Sequence, residues 1–162
     1  MFAGLALAEQ GYRPIILERG SSMEKRTASV QKFWITGELD TNCNVQFGEG
    51  GAGTFSDGKL TTRIKDPLCR YVLERFVDFG APKEILTKAK PHIGTDNLQN
   101  IVTAIRKRII ELGGEVRFDT ALTDLAIANG KVQTISAGDK NEKVSAVILA
   151  LSLIHISEPT RR

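Results

Sequence analysis

The stretch RPIILERG, Arg13 to Gly20, decides the fold, because it is a short apolar run that ends in an acid. Before it, Ala3 to Gln10 carries apolar residues at helical spacing, and Gly11 is well placed to end that helix. A helix followed by a strand with a terminal acid is typical of the second half of a βαβ dinucleotide-binding unit. We therefore expect the Glu18 carboxylate to bind a ribose; the alternative is a surface acid paired with a neighbouring arginine.

The two ends of the chain fit this unit poorly. Its first strand and its three fingerprint glycines would precede Met1, and Gly4 cannot replace them because the phosphate turn follows a strand. We therefore expect Met1 to be an internal methionine or a truncation point. The closing LSLIHISEPTRR, Leu151 to Arg162, resembles the translated read-through of a transposon adapter used in sequencing libraries, so we treat it as a non-native tail.

Composition excludes several classes of function. The chain is 41% hydrophobic and 25% charged, as in ordinary globular proteins, and its net charge of +3 is too small and scattered to indicate a nucleic-acid partner. No apolar run reaches the roughly 18–20 residues that span a bilayer. Cys43 and Cys69 are far apart and suggest neither a disulfide nor a zinc pair, which fits a reducing cytoplasm. With two histidines in the chain, we expect no His-rich metal site.

The rest of the chain predicts an α/β fold. Asp66 and Pro67 form a strong helix start, Thr95 or Asp96 is expected to cap the longest helix, and Trp34 is expected in the core. Asn129-Gly130 is a two-residue hairpin signal. Helices are expected at 21–39, 68–79 and 96–112, and strands at 115–118, 122–128, 131–137 and 144–150. This order predicts a parallel sheet with a β-meander crossover.

A long glycine-rich loop, GEGGAGTFSDGK from Gly48 to Lys59, lies between the first two of these helices. Glycines allow backbone N–H groups to approach phosphate oxygens, and a lysine adds a positive charge. The spacing from Gly53 to Gly58-Lys59 matches a P-loop, but Leu60 stands where a P-loop needs Ser or Thr for magnesium. A plain surface loop is the other alternative, although such a loop has no need of the aromatic side chains of Phe47 and Phe55.

The segment NVQFGEGGAGTFSDGKLTTR, Asn44 to Arg63, resembles the bacterial FAD-dependent (NAD- or FAD-utilising) dehydrogenases. Further blocks that carry the resemblance are PIILERG at 14–20, RIKDPLCRYVLERFV at 63–77, KPHIGTDNL at 90–98 and LGGEVRFDTALTDL at 112–125. The resemblance implies a glutathione-reductase-like FAD/NAD(P)-binding three-layer fold. Residues 1–150 would then be a partial FAD-binding domain, with a loop and helical insertion at about 21–95 and a non-native tail at 151–162.

The resemblance also implies a set of cofactor-binding residues. Glu18 would hold the ribose, the glycine-rich loop would lie along the pyrophosphate and flavin, Leu122 would offer its backbone to the adenine, and the strand ending at Ala150 would approach the cofactor. The candidates are Glu18, Arg19, Gly50, Gly51, Ser56, Asp57, Gly58, Lys59, Leu122 and Ala150.

The implied activity is flavin-mediated hydride transfer in a cytoplasmic oxidoreductase, with NADH or NADPH as the electron donor and an unidentified small-molecule substrate. Lys59 would stabilise negative charge on the reduced flavin or contact a phosphate, and His92 is a weaker candidate for a proton donor. For this chain by itself, weak FAD binding and no activity are expected. Two alternatives stay open: a non-catalytic FAD-binding module and a P-loop nucleotide hydrolase.

Overall fold

The computed structural model describes residues 1–56, 58–60, 62, 64–88 and 90–151. It divides into two compact units, Met1–Ala121 and Leu122–Arg162. The first unit holds the helices and a two-stranded parallel sheet, and the second holds a three-stranded antiparallel sheet. The expected α/β class is therefore confirmed. The expected tail at 151–162 lies, apart from Leu151, outside the described residues.

The start of the first unit forms as the sequence predicts. Helix α1 spans Phe2–Glu9, and Gly11 follows with φ +83° in the left-handed region that ends helices. Strand β1, Ile15–Leu17, pairs in parallel with strand β2, Glu115–Arg117. A parallel pair requires a long crossover connection, and the chain between β1 and β2 supplies it.

Helix α2 spans Met23–Thr36, α3 spans Leu68–Asp78 and α4 spans Thr95–Glu111. The Asp66 carboxylate accepts the Leu68 N–H at 2.7 Å, so the predicted start of α3 is confirmed. The predicted cap of α4 is wrong: Gly94 precedes the helix, and Thr95 and Asp96 lie within its first turn without a side-chain cap. Two short 3₁₀ helices, Ala52–Phe55 and Lys83–Leu86, were not expected from the sequence.

The core of the first unit is built on one face of α4. The apolar residues that recur at helical spacing along this helix are the buried ones: Leu98, Ile101, Val102, Ile105 and Ile109. Leu5 and Ala8 of α1 and Phe76 of α3 join them. The expectation for Trp34 is wrong, because its side chain is 64% exposed near the end of α2.

The second unit is a meander of β3 (Leu122–Ala128), β4 (Lys131–Ala137) and β5 (Lys140–Lys143). Asn129 and Gly130 connect β3 to β4 with φ of +52° and +71°, as a type I′ turn requires, so the predicted hairpin is confirmed.

The final strand expected at 144–150 does not form. The third strand is β5, which pairs with β4, and residues 144–150 lie outside any strand. A strand needs a hydrogen-bonded neighbour; Val144 donates to the Gln133 carbonyl of β4 at 3.1 Å, and within the described residues the pairing goes no further along this segment. Its last three described residues before Leu151 are accordingly exposed, Ile148 at 63%.

Every helix within the described ranges falls short of the length and apolar character that a bilayer-spanning segment requires.

Ile105 and Ile110 of α4 provide a matched test of this core. Ile105 is fully buried and Ile110 is 51% exposed. We expect Ile105→Ala to lower the free energy of unfolding by about 2–5 kcal/mol, because truncation leaves a cavity. Ile110→Ala on the same helix should change it by no more than about 0.5 kcal/mol. Urea denaturation measures both values, and equal losses would contradict the burial of this face.

Candidate functional site

Glu18 follows the last residue of β1, and hydrogen bonds of its backbone hold it in place. Its N–H donates to the Arg117 carbonyl at 2.9 Å, and its carbonyl accepts the Thr120 N–H at 3.0 Å. The carboxylate accepts the Gly20 N–H at 2.8 Å. The side chain is half-buried, so the carboxylate is fixed at the carboxyl end of a parallel strand and keeps access to solvent.

The Glu18 carboxylate also acts on the start of helix α1. Burial lowers the pKa of the Met1 α-amino group, and the charge of Glu18 opposes that shift.

The glycine-rich loop lies directly against the turn that follows Glu18. A Cβ atom added to Gly20 would lie 2.5 Å from the Gly48 Cα and 2.6 Å from its nitrogen, so only glycine allows the two backbones to approach this closely. The Glu49 N–H donates to the Ser21 carbonyl at 3.1 Å. The structure thus brings together the two elements on which the predicted site depends.

A buried network of charged residues holds the loop, and sequence reasoning missed it. Glu49, 2% exposed, accepts the Met23 N–H at 2.7 Å through Oε2, at the first residue of α2. Its Oε1 lies 3.2 Å from the Nε of Arg106, an ion-pair distance without the alignment of a hydrogen bond. Burial raises the pKa of Glu49, and the contacts with Met23 and Arg106 only partly offset that effect.

Arg106 bridges Glu49 to the first turn of α2. Its Nη2 donates to Glu24 Oε1 at 2.7 Å. This hydrogen bond, followed by smaller contributions from Ser22 and the backbone, lowers the pKa of Glu24 from 4.5 to about 2. The loop is therefore tied through two carboxylates and one guanidinium to both α2 and α4.

A fully buried arginine of α2, Arg26, completes the network. Its guanidinium donates to oxygens of the loop and lies over the Phe55 ring, 4.7 Å from the centroid. A signal for this network is present in the sequence as Glu49, an acid amid glycines, but its partners on α2 and α4 are distant in the chain. Periodicity within one helix does not identify them.

The two candidates for catalysis are neighbours in the structure. Lys59 and His92 form an isolated antiparallel β-bridge, with Leu60 N–H donating to Pro91 O at 2.9 Å and Ile93 N–H donating to Gly58 O at 3.0 Å. In this pattern the bridged residues are a non-hydrogen-bonded pair, whose side chains project to the same face at close range. Both side chains are exposed, so Lys59 and His92 are accessible to solvent on the same face.

The structure places the remaining predicted cofactor-binding residues in different surroundings. Arg19 donates to Asn42 Oδ1 at 3.1 Å and to Thr41 O at 3.2 Å, so it also secures the segment that leads into the loop. Gly50 and Gly51 lie in the loop that contacts Gly20, and Gly58 contacts Gly94. Ser56 is exposed and donates to Gly53 O at 3.1 Å, whereas Asp57 lies outside the described residues.

Leu122 and Ala150 belong to the second unit, Leu122–Arg162. Leu122 begins β3, and Ala150 lies in the segment that forms no strand. Over the described part of the chain, no group of three or more His, Cys, Asp or Glu side chains is arranged to hold a metal ion.

Comparison with known proteins finds one informative relative. No family model matches the chain. Over 160 residues, 99% of its length, the chain is 49% identical to an uncharacterized protein of Clostridium beijerinckii. It spans 30% of the length of that relative, so most of the relative lies outside the region of similarity.

The Gly20–Gly48 contact can be tested by adding one methyl group. We expect Gly20→Ala to lower the free energy of unfolding by about 1–3 kcal/mol, because the new Cβ meets backbone atoms that no side-chain rotation can move. Gly53→Ala is the matched control in the same loop, since its nearest new neighbour would be 4.0 Å away. Urea denaturation measures the free energy of unfolding of both variants. Equal values for Gly20→Ala and Gly53→Ala would contradict the close approach of Gly20 to Gly48.

The Glu24–Arg106 hydrogen bond predicts a pH dependence of stability. Because folding lowers the pKa of Glu24 from 4.5 to about 2, its contribution is fully present above 4.5 and is lost as the pH falls through about 2. We expect wild type to exceed Glu24→Gln in Tm at about pH 6 and the difference to narrow steadily below 4.5. Glu111→Gln, which removes an exposed partner of Arg108, is the control. A difference that stays constant across this range would show that the hydrogen bond does not form.

Proposed function

We propose that this chain forms part of the FAD-binding site of an oxidoreductase and holds the adenosine diphosphate portion of the cofactor. The observation that carries the proposal is the contact of the Gly20–Gly48 backbones beside the Glu18 carboxylate. A carboxylate at the end of a parallel strand can accept both hydroxyl protons of a ribose, and its charge disfavours a 2′-phosphate. Exposed Gly50 offers a backbone amide to a phosphate without steric hindrance.

The preformed shape of the loop also fits a dinucleotide. Glu49 and Arg106 hold the loop on its buried side, so the loop has this shape before a ligand binds. Preorganised sites of this kind bind with a smaller loss of entropy.

FAD, when bound, supplies the hydride chemistry, and the residues of this chain bind and orient it. Lys59 and His92 are the groups proposed to act near the flavin. Their shared bridge allows Lys59 to supply positive charge and His92 to hold a proton at the same face. A phosphate contact remains the alternative role of Lys59. The electron donor is proposed to be NADH or NADPH.

The P-loop alternative is disfavoured by the conformation around Lys59. In a P-loop the lysine stands at the start of a helix, where its backbone N–H group points at the phosphates. Here Lys59 forms an antiparallel β-bridge with His92, flanked by backbone hydrogen bonds from Leu60 to Pro91 and from Ile93 to Gly58. A non-catalytic FAD-binding module would use the same residues as the oxidoreductase and is distinguished by experiment.

The visible spectrum of the full-length Clostridium beijerinckii relative, purified without added flavin, tests the proposal. We expect a yellow protein that is bleached under nitrogen by either NADH or NADPH, because the flavin would be bound and reducible. Heat-denatured protein should release FAD, identified by its fluorescence after phosphodiesterase treatment. A yellow protein that neither nucleotide bleaches favours the binding module, and a colourless protein that gains no flavin on incubation contradicts the proposal.

A further inference from the structure

Arg26 is the most unusual side chain in the first unit, because it is an arginine with no exposed surface. Arginine is seldom buried unless its donors are satisfied. Burial lowers the pKa of this guanidinium, and the Glu18 and Glu49 carboxylates oppose the shift by attracting its charge. Its Nη2 is buried and makes no hydrogen bond within the described residues, whereas Nε and Nη1 are both bonded.

The oxygens that Arg26 contacts all belong to the loop and its approach. Nε donates to the Asn44 carbonyl at 2.9 Å. Nη1 donates to the Glu49 carbonyl at 2.5 Å and to Thr54 Oγ1 at 2.8 Å, and more weakly to the Gly48 carbonyl at 3.4 Å. One planar guanidinium therefore joins the approach, the start and the middle of the loop. A lysine could not do the same, because its single ammonium lacks the rigid fork of donors.

The bond from Arg26 to the Glu49 carbonyl also fixes the next amide. In a planar trans peptide the C=O and N–H groups point in opposite directions. Because the Glu49 carbonyl points at the buried guanidinium, the Gly50 N–H in the same peptide points away from it. Gly50 is exposed, so this amide is directed to the surface of the loop.

We propose that Arg26 is a positioning residue for the ligand site: it draws the loop carbonyls inward and so turns the Gly50 amide outward to bind an anionic phosphate oxygen. This inference rests on the proposed function for the identity of the ligand, a dinucleotide pyrophosphate. Glu49 supports the arrangement from its other side, since its carboxylate is held at α2 and α4 while its carbonyl is held by Arg26. Arg26 itself does not touch the ligand.

Hydrogen exchange of this chain tests the positioning role without a ligand. Variants Arg26→Met and Arg26→Lys are compared with Arg108→Met, a control that removes an exposed arginine of α4. We expect the Gly51 amide, bonded to the Gly48 carbonyl at 3.0 Å, to exchange at least tenfold faster in both Arg26 variants. The amide of Ile105 in the core of α4 should keep its protection in Arg26→Lys, which retains the positive charge.

The outcomes separate a local role from a global one. Unchanged exchange at Gly51 in Arg26→Lys overturns the inference, and so does an equal increase at Gly51 and Ile105, since that reports a general loss of stability. If Arg26→Met does not fold, the lysine variant alone decides.

A second measurement links the loop to the ligand. In the full-length Clostridium beijerinckii relative, lysine is placed at the position aligned with Arg26, and the dissociation constant for FAD is measured by flavin fluorescence. We expect affinity to fall at least tenfold with little change in the Tm of the flavin-free protein. Unaltered affinity overturns the inference while the proposed function stands, whereas a wild-type relative that takes up no FAD overturns only the proposed function.

Discussion

The close approach of Gly20 to Gly48 is the constraint on which the rest of the candidate site depends. Gly20 ends the turn that carries Glu18, and Gly48 begins the glycine-rich loop, so this contact turns two segments distant in the chain into one surface. Because both positions lack a side chain, the backbone amides of the loop come near the carboxylate.

Charged residues, and not only apolar ones, are buried under this surface. Arg26, Glu49 and Arg106 each have little or no exposed side-chain surface, and each contacts the loop or is part of it. Buried charges are costly unless their partners are well placed, and replacing them by apolar residues often stabilises a protein. Their presence around a loop supports a role in shaping that loop for a ligand.

The local pattern of the sequence predicted most helices and strands but not the interactions between them. Helical spacing identified the buried face of α4, and Asn129-Gly130 identified the hairpin, because both signals depend on near neighbours. The segment 144–150 is apolar enough for a strand, yet strand formation requires a partner elsewhere in the chain. The buried network around Arg26 joins residues far apart in sequence, so no local pattern could reveal it.

The most direct measurement is a nuclear magnetic resonance titration of the isotopically labelled chain with adenosine diphosphate, which detects even weak binding and locates it by residue. If Glu18 and the glycine-rich loop form one nucleotide site, the largest changes in amide chemical shift will fall at residues 18–21 and 48–51 together and will saturate with a single dissociation constant. Changes confined to one of these two segments, changes centred elsewhere, or none up to millimolar nucleotide would contradict the account.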